Sequence, residues 1–255
     1  MENSSAGGAS LADVKALLQP QFARSYMNWI GRKLLDLFNM IHGLGAFALI
    51  TLAVTVTKFN LASRVVHPII RAQIYRAGVR LLPIVAFLGV ALGLVVIGQT
   101  VALLNKVGFS SYAGVIMVTV VVRELGPLVT ALLVLARIGT AIVIELGTAR
   151  ALGEIEALEA LGIDPIHYLV MPRVIGLAIS IFALTVYLII VALFSGYIFA
   201  FLQDVPLRPG AYFSQLAASL RWEDFVLLAL KTTLFGIVIA VAISMLVWPS
   251  RKQTS

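Results

Sequence analysis

The stretch 119-TVVVRELGPLVTALL-133 places two opposite charges, Arg123 and Glu124, inside a segment that is apolar on both sides. A charge at the centre of a bilayer costs about 2.5–3.5 kcal/mol by insertion measurements, so such side chains face a protein interior or a wet cavity. The rest of the chain makes the bilayer the setting. Of 255 residues, 60% are hydrophobic and only 12% charged, and the mean hydropathy is +1.01. A soluble domain of this size needs far more polar surface. Uncharged runs near the ~20 residues that cross hydrocarbon as a helix recur along the chain. The fold class is therefore all-α integral membrane.

These runs are 37–57, 81–105, 112–146 (interrupted at Arg123, Glu124 and Arg137), 174–203 and 225–248 with Lys231. Charge bias reduces five candidate spans to four. Arg24, Arg32, Lys33, Lys58, Arg64 and Arg71 flank 37–57 on both sides. If that run crossed, one basic flank would face outward, against the positive-inside rule. Residues 25–57 are therefore expected to form an interfacial elbow. The spans are then 81–105, 112–146, 174–203 and 225–248, with outer loops around Lys106 and over 204–222, where Arg208 and Arg221 lie. Residues 1–24 are expected to form a flexible N-terminus, 25–248 one membrane domain and 249–255 a tail. The same bias explains the net charge of +7, so no nucleic-acid partner is expected. The N-terminal residues MENSSAGGASLADVK have no basic region leading into an apolar core, so no cleaved signal is expected. There is no cysteine, and His42, His67 and His167 have no metal-ligand spacing.

The run 112–146 is too long for one straight crossing, since about 35 helical residues reach ~50 Å. A bend is expected at Gly126-Pro127, where Pro127 cannot donate to the preceding turn. The lower half should then extend beyond the membrane. Arg123 and Glu124 point about 100° apart on a helix and need not neutralise each other. Two readings stand for them: bonds to other helices that fix the packing, or the border of a cavity for a ligand with a charged head. Arginine suits a phosphate, as a planar, always-charged donor.

The second informative segment is 147-GTARALGEIEALEALGIDPIHYLVMPR-173. Leu152, Ile155, Leu158 and Leu161 recur every three residues, while Glu154, Glu156, Glu159 and Asp164 make acidic faces. Gly162 stops the helix and Asp164-Pro165 starts the next element. An amphipathic cytoplasmic helix over 148–162 results, read either as a solvated connector or as a docking helix. The sets Gly89/Gly93 and Gly139/Gly147 allow close helix packing. No G-x-x-x-x-G-K-[ST] or G-x-S-x-G motif occurs, so the chain is not expected to hydrolyse ATP or to be an enzyme.

Together, 73-QIYRAGVRLLPI-84, 123-RELGPLVTALLVLARIGTAIVIELG-147, 150-RALGEIEALEALGIDPIHYLVMPR-173 and 231-KTTLFG-236 resemble the MlaE/YrbE family of ABC-transporter permeases. The resemblance covers roughly residues 25 to 245. It implies a homodimeric, multi-pass inner-membrane permease that moves phospholipid between inner and outer membranes. ATP and Mg would be held by a separate ABC ATPase, with no cofactor on this chain. An MCE-domain protein would meet the periplasmic side and a STAS-type accessory protein would join. Arg123, Glu124 and Leu125 would border the lipid cavity, with Val96, Leu103 and Leu104 on its wall and Gly93 and Gly98 leaving room for the ligand. Arg150, Glu154, Glu156, Leu158, Glu159, Leu161 and Asp164 would dock the ATPase. Family members continue past the equivalent of 231–242 with one more helix, whereas this sequence ends at 248-WPSRKQTS-255. The alternatives are an importer of another amphiphile such as a sterol, a channel or proton-coupled carrier relaying through Glu124 and Arg123, and an inactive, truncated scaffold subunit.

Overall fold

A computed structural model describes residues 29, 31–35, 38, 42–43, 45–46, 49–51, 53, 63–109, 112–202 and 209–247. The expected N-terminus 1–24, much of the elbow, Arg208 and the tail lie outside them. The chain divides into two units, Met1–Ala46 and Phe47–Ser255. In the first, the described residues are helical, and the Lys33 ammonium sits 5.1 Å over the Trp29 ring, a cation–π contact.

The second unit is helical, with no strand among the described residues. Helix α1 (Ser63–Ala77) leads through a 3₁₀ turn, Val79–Leu81, into α2 (Leu82–Leu92). A π-helical stretch, Gly93–Gly98, follows, then α3 (Gln99–Val107) and α4 (Ala113–Met117). A second π-helical stretch, Val118–Leu125, precedes α5 (Gly126–Ala151), and α6 is short (Glu154–Ala160). A third π-helical turn, Ile166–Val170, opens α7 (Met171–Leu202), and α8 (Pro209–Ser219) and α9 (Trp222–Val247) complete the unit. Among the described residues, four stretches are long and apolar enough to cross a membrane: His67–Leu104, Gly114–Ala151, Ile166–Leu202 and Trp222–Met245. The protein is a multi-pass membrane protein.

Helix α7 is the hub. It packs against α1, α2, the first π stretch, α5 and α9. Leu177, Ile181, Leu184, Leu188 and Ala192, spaced three or four residues apart, are almost fully buried. Small residues bring its neighbours within backbone range. A Cβ at Gly93 would stand 1.9 Å from Ser195 Oγ and 2.3 Å from Ala192 O, and one at Gly236 would stand 2.6 Å from Ala178 Cα. Of the paired glycines read from sequence, Gly89 also meets α7, at Val191, and Gly139 lies near Ile243, but among the described residues nothing lies within 4 Å of a Cβ at Gly147.

Three local readings change. The backbone ahead of Gly126-Pro127 widens into the π-helical stretch Val118–Leu125, so the register shift lies N-terminal to the proline, which starts α5. The expected cytoplasmic helix over 148–162 is shorter. Thr148–Ala151 belong to α5, and Gly153, at φ +72°, turns the chain into α6. The left-handed conformation costs a glycine little and makes the corner. Part of the expected outer loop 204–222 is α8, which buries Tyr212 and Leu216, one helical turn apart, while a Cβ on Gly114 would stand 2.7 Å from Gln215 O. The Tyr212 hydroxyl donates to Leu193 O at 3.1 Å, and burial pushes its pKa up to about 12, so it stays a donor at physiological pH.

Candidate functional site

Arg123 and Glu124 lie on the π-helical stretch, and both find their partners on α9. Arg123 Nε lies 2.7 Å from Asp224 Oδ1, close in distance but off the hydrogen-bond angle, and Arg123 Nη2 donates to Asp224 Oδ2 at 3.2 Å. Glu124 Oε1 accepts from Lys231 Nζ at 2.7 Å, and the same ammonium donates to Arg123 O at 3.1 Å. Asp224 and Lys231 are seven residues apart, two helical turns, and so share a face of α9. The adjacent pair on one helix is thereby matched by a two-turn pair on the other, and the four side chains sum to zero charge.

The environment is graded. The Asp224 side chain is 2% exposed, Arg123 38%, Lys231 40% and Glu124 67%. Asp224 also accepts from Arg221 N–H at 2.9 Å, one half of a capping box at the start of α9. Its carboxylate is therefore held at the positive end of the helix dipole as well as by Arg123.

Two hollows adjoin this cluster. One, of about 310 Å³, is lined by Arg123, Glu124, Lys231, Pro127, Leu128, Leu234 and Phe235. The other, of about 230 Å³, holds Asp224 among Val122, Ile189, Leu193, Phe225 and Leu228. Each sets charge against an apolar wall, and the first approaches the size of small-molecule sites.

The remaining residues read as cavity wall are not among those lining these two hollows. Leu125 is half-buried, and Val96, Leu103 and Leu104 line neither hollow. Val96 and Leu104 pack against the core around Ile97, Val101 and Met117, whereas Leu103 is exposed. The space expected beside Gly93 and Gly98 is filled by Ser195 and Phe199 of α7.

At the other end of the bundle, Glu145 of α5 bridges two arginines. It pairs with Arg76 of α1 and, at 3.3 Å, with Arg173 of α7. Arg173 also donates to Leu169 O in the π turn that follows α6. Helix α6 presents Glu154, Glu156 and Glu159 to the outside and buries Ile155, with Leu158 half-buried. Leu152 and Leu161 fall outside its bounds and are 70% and 75% exposed, so the three-residue stripe does not form one buried face. Arg150 is exposed at the end of α5. Asp164 Oδ1 accepts from Ile166 N–H at 3.0 Å and fixes the turn into α7.

Sequence reasoning missed Asp224 and Glu145. The signal for Asp224 was its two-turn spacing from Lys231 at the head of an apolar run. Glu145 was a further charge within 112–146 that the count of interruptions passed over.

Four apolar spans, a neutral cluster of four charges inside them, and a short acidic helix at one end define a polytopic membrane protein with an intramembrane polar site. The description "Permease MlaE" matches residues 70–246, and the chain belongs to this permease family. A probable ABC transporter permease protein of Rickettsia conorii is 31% identical over 80% of this chain and 82% of its own length. One from Rickettsia prowazekii is 32% identical over 56% of this chain and 57% of its own length. The intermembrane phospholipid transport system permease protein MlaE of Haemophilus influenzae is 24% identical over 84% of this chain and 80% of its own length.

Proposed function

We propose that this chain is the membrane-embedded subunit of an ABC transporter that moves phospholipid between the inner and outer membranes. The observation that carries the reading is the hollow in which Arg123 and Lys231 stand beside Pro127, Leu128, Leu234 and Phe235. A phosphate can take donors from the two cations while acyl chains lie on the apolar wall. A sterol offers a single hydroxyl, too few acceptor atoms to engage both cations, so the phospholipid reading is preferred. The name of the Haemophilus relative points the same way.

In this reading the chain sits in the inner membrane, forms a homodimer, and leaves ATP and Mg to a cytoplasmic ATPase docked on α6. The carboxylates of Glu154, Glu156 and Glu159, with Leu158 and Leu161, provide that contact, and Arg150 and Asp164 flank it. Ile155 anchors α6 to the bundle, and the Glu145 bridge ties α5 to α1 and α7 beside it. Displacement of α6 would thus reach the spans through packed helices. An MCE-domain protein on the periplasmic side and a STAS-type accessory protein complete the assembly.

The test is co-purification. The chain is expressed with candidate ATPase and MCE-domain neighbours, captured, and analysed by mass spectrometry for proteins and lipids. An ATPase and phospholipid are expected to come with it. Glu156→Lys and Leu158→Asp should lose the ATPase while the chain still inserts. A stable chain that comes alone and free of lipid would overturn the reading.

A further inference from the structure

We infer that the four-charge cluster selects zwitterionic phospholipids, whose phosphate is paired with an ammonium, over net-anionic ones. This deepens the proposed function and rests on it. The argument starts from neutrality. Arg123 and Lys231 are the cations lining the hollow among the described residues, and each already has a carboxylate, Asp224 and Glu124 respectively. Binding a phosphate here is therefore an exchange of partners, not the filling of an unpaired positive site.

The two carboxylates differ in freedom. Asp224 is buried and held by Arg221 N–H at 2.9 Å as well as by Arg123. Glu124 is 67% exposed, and its carboxylate contact is to Lys231 alone among the described residues. When a phosphate takes the Lys231 ammonium, Glu124 is the carboxylate that is released, and it lines the same hollow as Arg123 and Lys231. A head that carries its own ammonium meets that carboxylate. Two ion pairs then become three, and the net charge of the site stays zero. A phosphoglycerol head adds one negative charge and leaves Glu124 without a counterion, on a span where an unpaired charge is costly. The apolar walls next to the cluster make the source a lipid and not a soluble phosphoester.

The experiment uses the full chain, delipidated in neutral detergent and incubated with an equimolar mixture of phosphatidylethanolamine and phosphatidylglycerol with identical acyl chains. Bound lipid is quantified by mass spectrometry after gel filtration. The wild type is expected to favour phosphatidylethanolamine by about fivefold, the size of one partly screened charge interaction. Glu124→Gln, which leaves the site with one net positive charge, should abolish or invert that preference. Equal retention of the two lipids by the wild type would overturn the inference, as would a preference that Glu124→Gln leaves unchanged. Arg123→Ala separates this failure from that of the underlying reading. If it binds both lipids as the wild type does, the cluster is not a head-group site at all. If it loses both while the wild type shows no preference, only the selectivity falls. Soluble glycerophosphoethanolamine at equal concentration should leave bound lipid in place, and displacement would overturn the assignment to a lipid.

Discussion

Asp224 shows how much a single side chain can settle in a membrane. An isolated carboxylate or guanidinium is costly there, and the Arg123–Asp224 pair offsets part of both costs, because each charge faces its opposite. Removing one partner leaves the other uncompensated, a loss of about 3–5 kcal/mol for fully buried pairs and less where one member is partly exposed, as Arg123 is. Arg123→Leu alone and Asp224→Leu alone are therefore each expected to lower the melting temperature in detergent by several degrees. The double variant Arg123→Leu/Asp224→Leu should recover most of that loss, since two apolar side chains replace a desolvated pair. Thermal unfolding followed by circular dichroism checks this, and a double variant no better than the worse single one would contradict it.

At the scale of the element, the sequence pattern and the packing part company over glycine. Gly93 and Gly147 both belong to the glycine sets read from sequence as allowing close helix packing, yet they meet different surroundings. Helix α7 lies against Gly93 so closely that any side chain must push it away, whereas among the described residues nothing lies within 4 Å of a Cβ at Gly147. Gly93→Leu is expected to leave little monodisperse protein after extraction, and Gly147→Leu to elute as the wild type does, which size-exclusion chromatography reads directly. Helix α6 makes the complementary point. Its short length follows from Gly153 and Gly162, which have φ of +72° and +74° and end α5 and α6. A β-branched residue at either position is strained, so Gly153→Val should destabilise the corner by about 1–2 kcal/mol. The readout is faster proteolysis between α5 and α6.

For the whole molecule, the orientation follows from charge and can be tested cleanly, because the chain contains no cysteine. Glu156 on α6 and Ser214 on α8 are both exposed. The positive-inside bias puts them on opposite sides of the membrane. In intact cells a membrane-impermeant maleimide should label Ser214→Cys and leave Glu156→Cys unlabelled until the cells are opened. The reverse pattern would invert the topology. The Glu145 bridge acts at this scale too, since one carboxylate on α5 holds arginines from α1 and α7.

Hydropathy was enough to determine that this is an all-α membrane protein, with four stretches among the described residues long and apolar enough to cross, and that Arg123 and Glu124 need an explanation. These follow from the cost of leaving backbone groups and charges unmatched in hydrocarbon, which acts on every residue locally. Resemblance over Arg123–Arg173 carried the family, because its charges, glycines and prolines stand at offsets that hydrophobicity does not produce. Only the tertiary structure decided which residues complete the site. Asp224 and Lys231 lie about a hundred residues from Arg123 and Glu124, and their pairing depends on how α9 packs against the π-helical stretch and α5. For the same reason Val96 and Leu104, candidates for a cavity wall by position, turn to the core. Which face of an apolar helix meets lipid, a ligand or another helix is set by packing between helices, and a uniformly apolar sequence carries little record of it.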